Sequence, residues 1–208
     1  MKAFDALTYK DQKGSFNNED EQLLLSLLKG TSGKVLDIGC GDGLLTVQAK
    51  ESMPEAQIVA IDNSPEQIQL ATKNDAEGIE FAEADITNLS REEIFDGAYS
   101  FYAFPHIPKS KIPSALVSVR NVLKPGGKFY LFTNICLFDS SLATEADQEA
   151  CDIVFLNEWP SQINLIDLEQ MREMFTAAGF KEVDNKMLKT GAKVKNYGEM
   201  ISWLFVLE

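Results

Sequence analysis

Residues 35–43 read VLDIGCGDG: an apolar strand that carries an acid and then runs into alternating glycines. An aspartate near the end of a buried strand is costly unless something uses it. Gly39, Gly41 and Gly43 allow a sharp turn and let a ligand lie against bare main chain. They lead into a helix beginning near Leu44, whose free N–H groups carry partial positive charge. A second acid, Asp62, ends a second apolar run and could accept both hydroxyls of a ribose through its two oxygens. A third, Asp85, follows a third run in EADI, where it could accept from an adenine amino group while Ile86 packs on the ring. A dinucleotide-binding fold uses similar glycines and a similar acid after the second strand, but spaced G-x-G-x-x-G, where this chain has G-x-G-x-G. Asp37 would repel a pyrophosphate and attract an ammonium or a sulfonium. A tight strand-to-helix turn without a ligand is the plainer alternative.

These residues need strand ends on one rim. Apolar runs at 34–38, 57–62, 79–84, 97–101, 127–134, 180–188 and 200–208 are predicted strands, several of them continuous rather than alternating, as suits strands covered on both faces. Capping-box signals place helix starts at Asn18 with Glu21, Ser64 with Gln67, and Asp167 with Gln170. Ile112, Leu116, Val119 and Leu123 form a helical stripe that Pro125-Gly126-Gly127 should end, and Leu168, Met171, Phe175 and Ala178 form another, stopped by Gly179. Strands alternate with helices, so parallel pairing with right-handed crossovers follows. The last two strands are separated by TGAKVKNYG alone, a connection that can make only a hairpin, so the final strand runs antiparallel.

VLDIGCGDG, AIDNS, AEADI and LKPGGKFYLF, in that order, resemble the motifs of the class I S-adenosylmethionine-dependent methyltransferases, small-molecule branch. The similarity runs from about Lys34 to the C-terminus and includes LEQMREMFTAAGFKEV. It implies an α/β, Rossmann-like doubly wound sheet of seven strands, mostly parallel with the last antiparallel, and helices on both faces. It also implies S-adenosyl-L-methionine as cofactor and S-adenosyl-L-homocysteine as product. Asp37 and Gly39, Cys40 and Gly41 would face the methionine part, Asp62 the ribose, and Asn63, Asp85 and Ile86 the adenine, with Phe101 beside them. Asp42 stands where such proteins usually have a small residue.

The segment 100–110, SFYAFPHIPKS, would lie at the same rim and holds the single histidine. His106 could deprotonate an acceptor or bond a nearby carbonyl; Tyr102 and Phe104 could face substrate or pack a core. The stretch 136–166 contains no Lys or Arg, is long for a connection, and is expected to be an insertion or lid, part of it helical from Ser141 to about Phe155, with Phe138, Phe155 and Trp159 as candidate pocket residues. Residues 1–33, with Tyr9 and Phe16, form a second candidate lid in what reads as one domain over 1–208. Lys186, Lys189, Lys193 and Lys195 around the last hairpin could attract an anion or simply face water.

The formal net charge is −13, which disfavours nucleic acid as a partner. No apolar run approaches a membrane span and the first residues hold no apolar signal core. Cys40, Cys136 and Cys151 have no metal-like spacing, so reduced thiols in a cytoplasmic protein, with no metal, are expected. The leading expectation is methyl transfer to a small-molecule acceptor. A nicotinamide-dependent oxidoreductase and a non-catalytic scaffold that keeps the cofactor pocket are the alternatives.

Overall fold

The structure, a computed structural model, describes residues 18–74, 76–89, 94–155, 160–194 and 196–208, without the side chains of 18, 152–155, 160–161 and 189–192. Its strands are β1 (Gly33–Ile38), β2 (Ala56–Asp62), β3 (Ile79–Glu83), β4 (Phe95–Phe101), β5 (Leu123–Cys136), β6 (Cys151–Phe155), β7 (Pro160–Ile163), β8 (Glu182–Val194) and β9 (Gly198–Leu207). They form one sheet in the order β3-β2-β1-β4-β5-β9-β8-β6-β7. The pairings β1–β2, β2–β3, β1–β4 and β4–β5 are parallel, and β9 is antiparallel to both β5 and β8. Strand order reverses between β1 and β4, so the carboxyl end of β1 opens at the switch point, where ligands bind in such sheets.

All seven expected strands are present, the last antiparallel. Two more, β6 and β7, lengthen the sheet to nine and arise inside the 136–166 stretch. The helix expected from Ser141 to Phe155 is therefore corrected. Thr144 caps a helix of five residues, Glu145–Glu149, by accepting the Asp147 N–H, and Cys151–Phe155 is strand. Ile153, Val154 and Phe155 favour the pleated surface over a helix. The last hairpin is also tighter than TGAKVKNYG suggests, since β8 runs on to Val194. Lys193 consequently sits opposite Glu199, and Lys186 lies well down the strand opposite Leu204. Lys193 therefore borders the turn, whereas Lys186 does not; Lys195 and the Lys189 side chain lie outside the described residues.

The longer helices are α1 (Asn18–Leu28), α2 (Leu44–Ser52), α3 (Pro65–Ala71), α4 (Ile112–Val122) and α6 (Leu168–Ala177), with α5 the short Glu145–Glu149. Helix α4 stops at Val122, before the Pro-Gly-Gly expected to end it. Those three residues bulge out of β5, which pairs Leu123 with Phe95 and Lys128 with Gly97. Strand residues alternate between two buried faces. Leu36, Ile38, Val59 and Ile61 join α4 and α6 in one core layer, together with Phe129 and Phe205. Val35, Ile58, Ala60 and Tyr99 join Leu24 and Leu28 of α1, Ala49 of α2 and Met53 just after it in the other. Full burial of each such side chain contributes roughly 1.5–3 kcal/mol. Asp37 shares the parity of Val35, so it points at the α1–α2 layer.

Candidate cofactor site

Strand β1 hands the chain to the glycine loop. The Gly39 and Cys40 N–H groups both donate to the Ile61 carbonyl, at 2.8 and 3.0 Å, and this seats the loop against the end of β2. Gly39 has φ +75°, and a β-carbon on it would collide with the Ala103 side chain, so the residue is fixed by conformation and by packing at once. Gly41 differs. Its φ is +56°, yet a β-carbon there would meet nothing nearer than Gln67 Oε1 at 3.9 Å, which leaves a smooth open approach on the ligand side. Gly43, which has no side chain to cap α2, precedes that helix, and Asp42 Oδ1 instead accepts the Leu44 N–H at 3.2 Å.

The carboxylates lie at or near the ends of three neighbouring strands. Asp62 Oδ2 accepts the Gly41 N–H at 3.0 Å and Oδ1 accepts the Ser64 N–H at 2.9 Å. Each oxygen keeps a second lone pair for a ligand. Burial nevertheless raises the Asp62 carboxyl above its usual range, against those hydrogen bonds. Asp37 is 3% exposed, and its Oδ2 accepts from Thr46 Oγ1 at 2.6 Å and from Tyr99 OH at 2.8 Å. Desolvation outweighs both bonds and, with the charge of Asp62 nearby, raises the Asp37 carboxyl to about 7. Asp85 is exposed at the end of β3. Its Oδ1 accepts the Thr87 N–H at 2.9 Å and the Thr87 hydroxyl at 2.8 Å, which hold the carboxyl below its usual range. Ile86 is half-buried and Asn63 exposed. Burial and three neighbouring carboxylates push the Cys40 thiol far up, so it stays protonated.

Beyond β4 the rim carries Phe101 and Tyr102, both half-buried, with ring centroids 4.8 Å apart. Tyr102 adopts φ +57°, uncommon for a residue with a side chain. Its hydroxyl donates to Asp20 Oδ2 of α1 at 2.7 Å and its N–H to the Phe132 carbonyl at 3.0 Å. Phe104 does not line a pocket. It is fully buried in the α4–α6 layer, 5.8 Å from the Phe129 ring, which corrects its reading as a substrate contact. His106 is half-buried on the 3-10 turn Phe104–His106, with Nδ1 3.3 Å from the Gln162 carbonyl. Desolvation lowers its pKa, so the ring is neutral near pH 7. Trp159 lies outside the described residues.

The structure also brings in residues that sequence reasoning missed. Thr46 and Tyr99 hold Asp37, Gln67 lies under Gly41, and Asn164 holds the His106 turn by donating Nδ2 to the Phe104 and Ile107 carbonyls at 2.9 and 2.7 Å. Only Gln67 left a signal in the sequence, as the third helical residue of a capping box; Thr46 depends on how α2 packs on β1, Tyr99 on β4 lying beside β1, and Asn164 on a contact between distant loops.

Residues 35–127 match the family model described as a methyltransferase domain. The ubiquinone biosynthesis O-methyltransferase of Xanthomonas axonopodis pv. citri (strain 306) is 33% identical over 114 residues, 51% of this chain and 45% of that protein. A malonyl-[acyl-carrier protein] O-methyltransferase of Halalkalibacterium halodurans is 32% identical over 99 residues, 45% of this chain and 36% of that protein. The matched stretch spans less than half the length of these curated relatives. Among solved structures, an S-adenosylmethionine-dependent methyltransferase from Clostridium acetobutylicum ATCC 824 superposes with a TM-score of 0.66 at 17% identity, covering 96% of both chains. The DhpI-SAM-HEP complex superposes with a TM-score of 0.64 at 19% identity, covering 96% of this chain and 91% of that one. Residues 35–127 are thus similar to a methyltransferase domain, and the chain shares its fold with a solved S-adenosylmethionine-dependent methyltransferase.

Proposed function

We propose that the chain transfers a methyl group from S-adenosyl-L-methionine to a small-molecule acceptor and releases S-adenosyl-L-homocysteine. The observation that carries this reading is Asp62, a carboxylate seated against the Gly41 and Ser64 N–H groups at the switch point with acceptor capacity to spare. The donor set fits the cofactor. Asp62 would take the ribose hydroxyls, Asp37 would face the charged methionine end with Gly39, Cys40 and Gly41, and Asn63, Asp85, Ile86 and Phe101 would border the adenine. The names of the matched relatives, both O-methyltransferases, favour the same activity.

The bound cofactor supplies an electrophilic methyl group on a sulfonium. What remains for the protein is to align the acceptor, exclude water and manage its proton; alignment alone can be worth up to roughly 7–11 kcal/mol. His106 suits the last task. The Gln162 carbonyl can only accept, so Nδ1 carries the hydrogen and Nε2 the lone pair. A neutral ring with Nε2 basic is the form a general base needs. Tyr102 would line the acceptor side.

Residues 1–208 would act as one domain, with 1–33 and 136–166 as the segments closing over the site. The second of these is tied down by Lys109, which donates to Gln148 Oε1 at 3.0 Å and to Gln170 Oε1 at 2.9 Å. Among the described residues no helix is long and apolar enough to cross a membrane, and the three cysteines are free thiols, in keeping with a cytoplasmic place of work.

Calorimetric titration with S-adenosylhomocysteine tests the cofactor, and transfer of labelled methyl into a metabolite pool tests the activity. Asp62→Ala should weaken binding by about 1.5–3 kcal/mol, the range for hydrogen bonds to a charged group. Unchanged affinity would count against the assignment.

A further inference from the structure

Ser64 and Gln67 have the sequence of a capping box, but the box closes on one side only. Ser64 Oγ accepts the Gln67 N–H at 3.2 Å. The reciprocal bond, from the Ser64 N–H to the Gln67 side chain, is absent because Asp62 Oδ1 has taken that hydrogen at 2.9 Å. Released from the cap, the Gln67 side chain turns inward. The residue is 2% exposed, and neither Nε2 nor Oε1 has a hydrogen-bond partner among the described residues. Its Oε1 lies 3.9 Å from where a β-carbon on Gly41 would stand, and the Gly41 N–H itself donates to Asp62 Oδ2.

A buried carboxamide with both ends unmet destabilises the fold that holds it, whereas an apolar side chain of the same length would not. Such a group persists where a ligand completes it. We infer that Gln67 is a specificity-determining residue for the ribosyl part of the cofactor. The inference rests on the proposed adenosyl site. A ribose hydroxyl has one hydrogen and two lone pairs. Ionised Asp62 can only accept, so it takes the hydrogen and leaves the lone pairs asking for a donor. Gln67 Nε2 is an uncommitted donor beside Gly41, and rotation of its flexible side chain toward the loop satisfies the amide and the hydroxyl together.

The test is titration of wild type and Gln67→Met with S-adenosylhomocysteine and with its 2′-deoxy and 3′-deoxy counterparts, alongside thermal unfolding without ligand. Gln67→Met should raise the melting temperature of the unliganded protein. It should weaken S-adenosylhomocysteine about tenfold, as for one hydrogen bond lost. It should also leave affinity nearly unchanged for the counterpart lacking the hydroxyl that Gln67 reads. Equal weakening of all three ligands, no weakening of any, or a lower melting temperature overturns the inference. If Gln67→Met does not fold, Gln67→Leu carries the same expectations, and failure of both to fold overturns the inference, because it shows the carboxamide to be structural. Wild-type protein that binds none of the three ligands overturns the adenosyl site itself, and the inference with it.

Discussion

Asp37 occupies a strand position flanked by the core residues Leu36 and Ile38. Two hydroxyl donors and a glycine loop surround it, and still its carboxyl is raised to about 7, because burial removes more from the ion than Thr46 and Tyr99 return. An unfolded chain ionises this group near 3.8, the folded one near 7, so the folded state holds the proton more tightly. Stability from this group is full below the unfolded value, declines as pH rises between the two values, and is flat above. The interval corresponds to about 4 kcal/mol as an upper bound. Asp37→Asn keeps an acceptor for both hydroxyls and removes the charge. At pH 8 it should be more stable to urea than wild type by about 2–4 kcal/mol, with the gap narrowing toward pH 5. It should also bind S-adenosylhomocysteine more weakly, having lost its attraction for the amino group. A wild type no less stable at pH 8 than at pH 5, relative to the variant, would refute this. The sequence showed that Asp37 is expensive and therefore used. It could not show what holds it, since Tyr99 reaches it only because β4 lies beside β1.

At the scale of elements, the caps were readable and their side-chain partners were not. Ser64 and Asp167 each accept the N–H of the glutamine three residues on, as expected. Both glutamine side chains then go elsewhere: Gln67 under the glycine loop, and Gln170 to Ser140 at 2.7 Å and Lys109 at 2.9 Å. A local motif predicts the local bond, while tertiary partners decide what happens to a side chain long enough to leave. The helix expected from Ser141 to about Phe155 was misread for a related reason. Its first half carries helix formers and its second half β-branched and aromatic residues, and the edge of the sheet is available to pair the latter. The useful consequence is Asn164. It follows β7 and donates to the Phe104 and Ile107 carbonyls, while its own N–H meets the Pro105 carbonyl at 2.8 Å. Residues 136–166 thereby fix, through Asn164, the turn that carries His106. Asn164→Ala strands two carbonyls and should cost about 2–3 kcal/mol in urea unfolding while leaving S-adenosylhomocysteine affinity intact. A loss below about 1 kcal/mol would mean that water replaces the amide.

Across the whole molecule, the seven strands were legible because each is an apolar run bounded by caps and glycines, and the crossover rule then dictates their direction. The edge pair β6–β7 was not, because its pairing with β8 joins segments some forty residues apart. These strands change the shape of the rim. Phe101, the last residue of β4, pairs with Phe132, but β5 continues four residues further to Cys136, with β9 and β8 alongside. At about 3.3 Å per residue the sheet rises roughly 13 Å above the switch point on this side. For the proposed transfer, an acceptor would enter between that wall and the glycine loop, under a field set by 32 acidic against 19 basic residues. Residues 136–166 contribute six of those acids and no Lys or Arg. Phosphate-backbone binding draws its affinity from clustered cations that release counterions, and Lys186 and Lys193 are spread along β8 with Glu199 opposite the latter. Duplex DNA titrated at about 50 mM salt, where such binding is strongest, should therefore show no saturable change in anisotropy at micromolar protein. Saturable binding that weakens steeply with added salt would place the acceptor among nucleic acids and remove the small-molecule reading, because it would require a cationic surface that the described residues do not present.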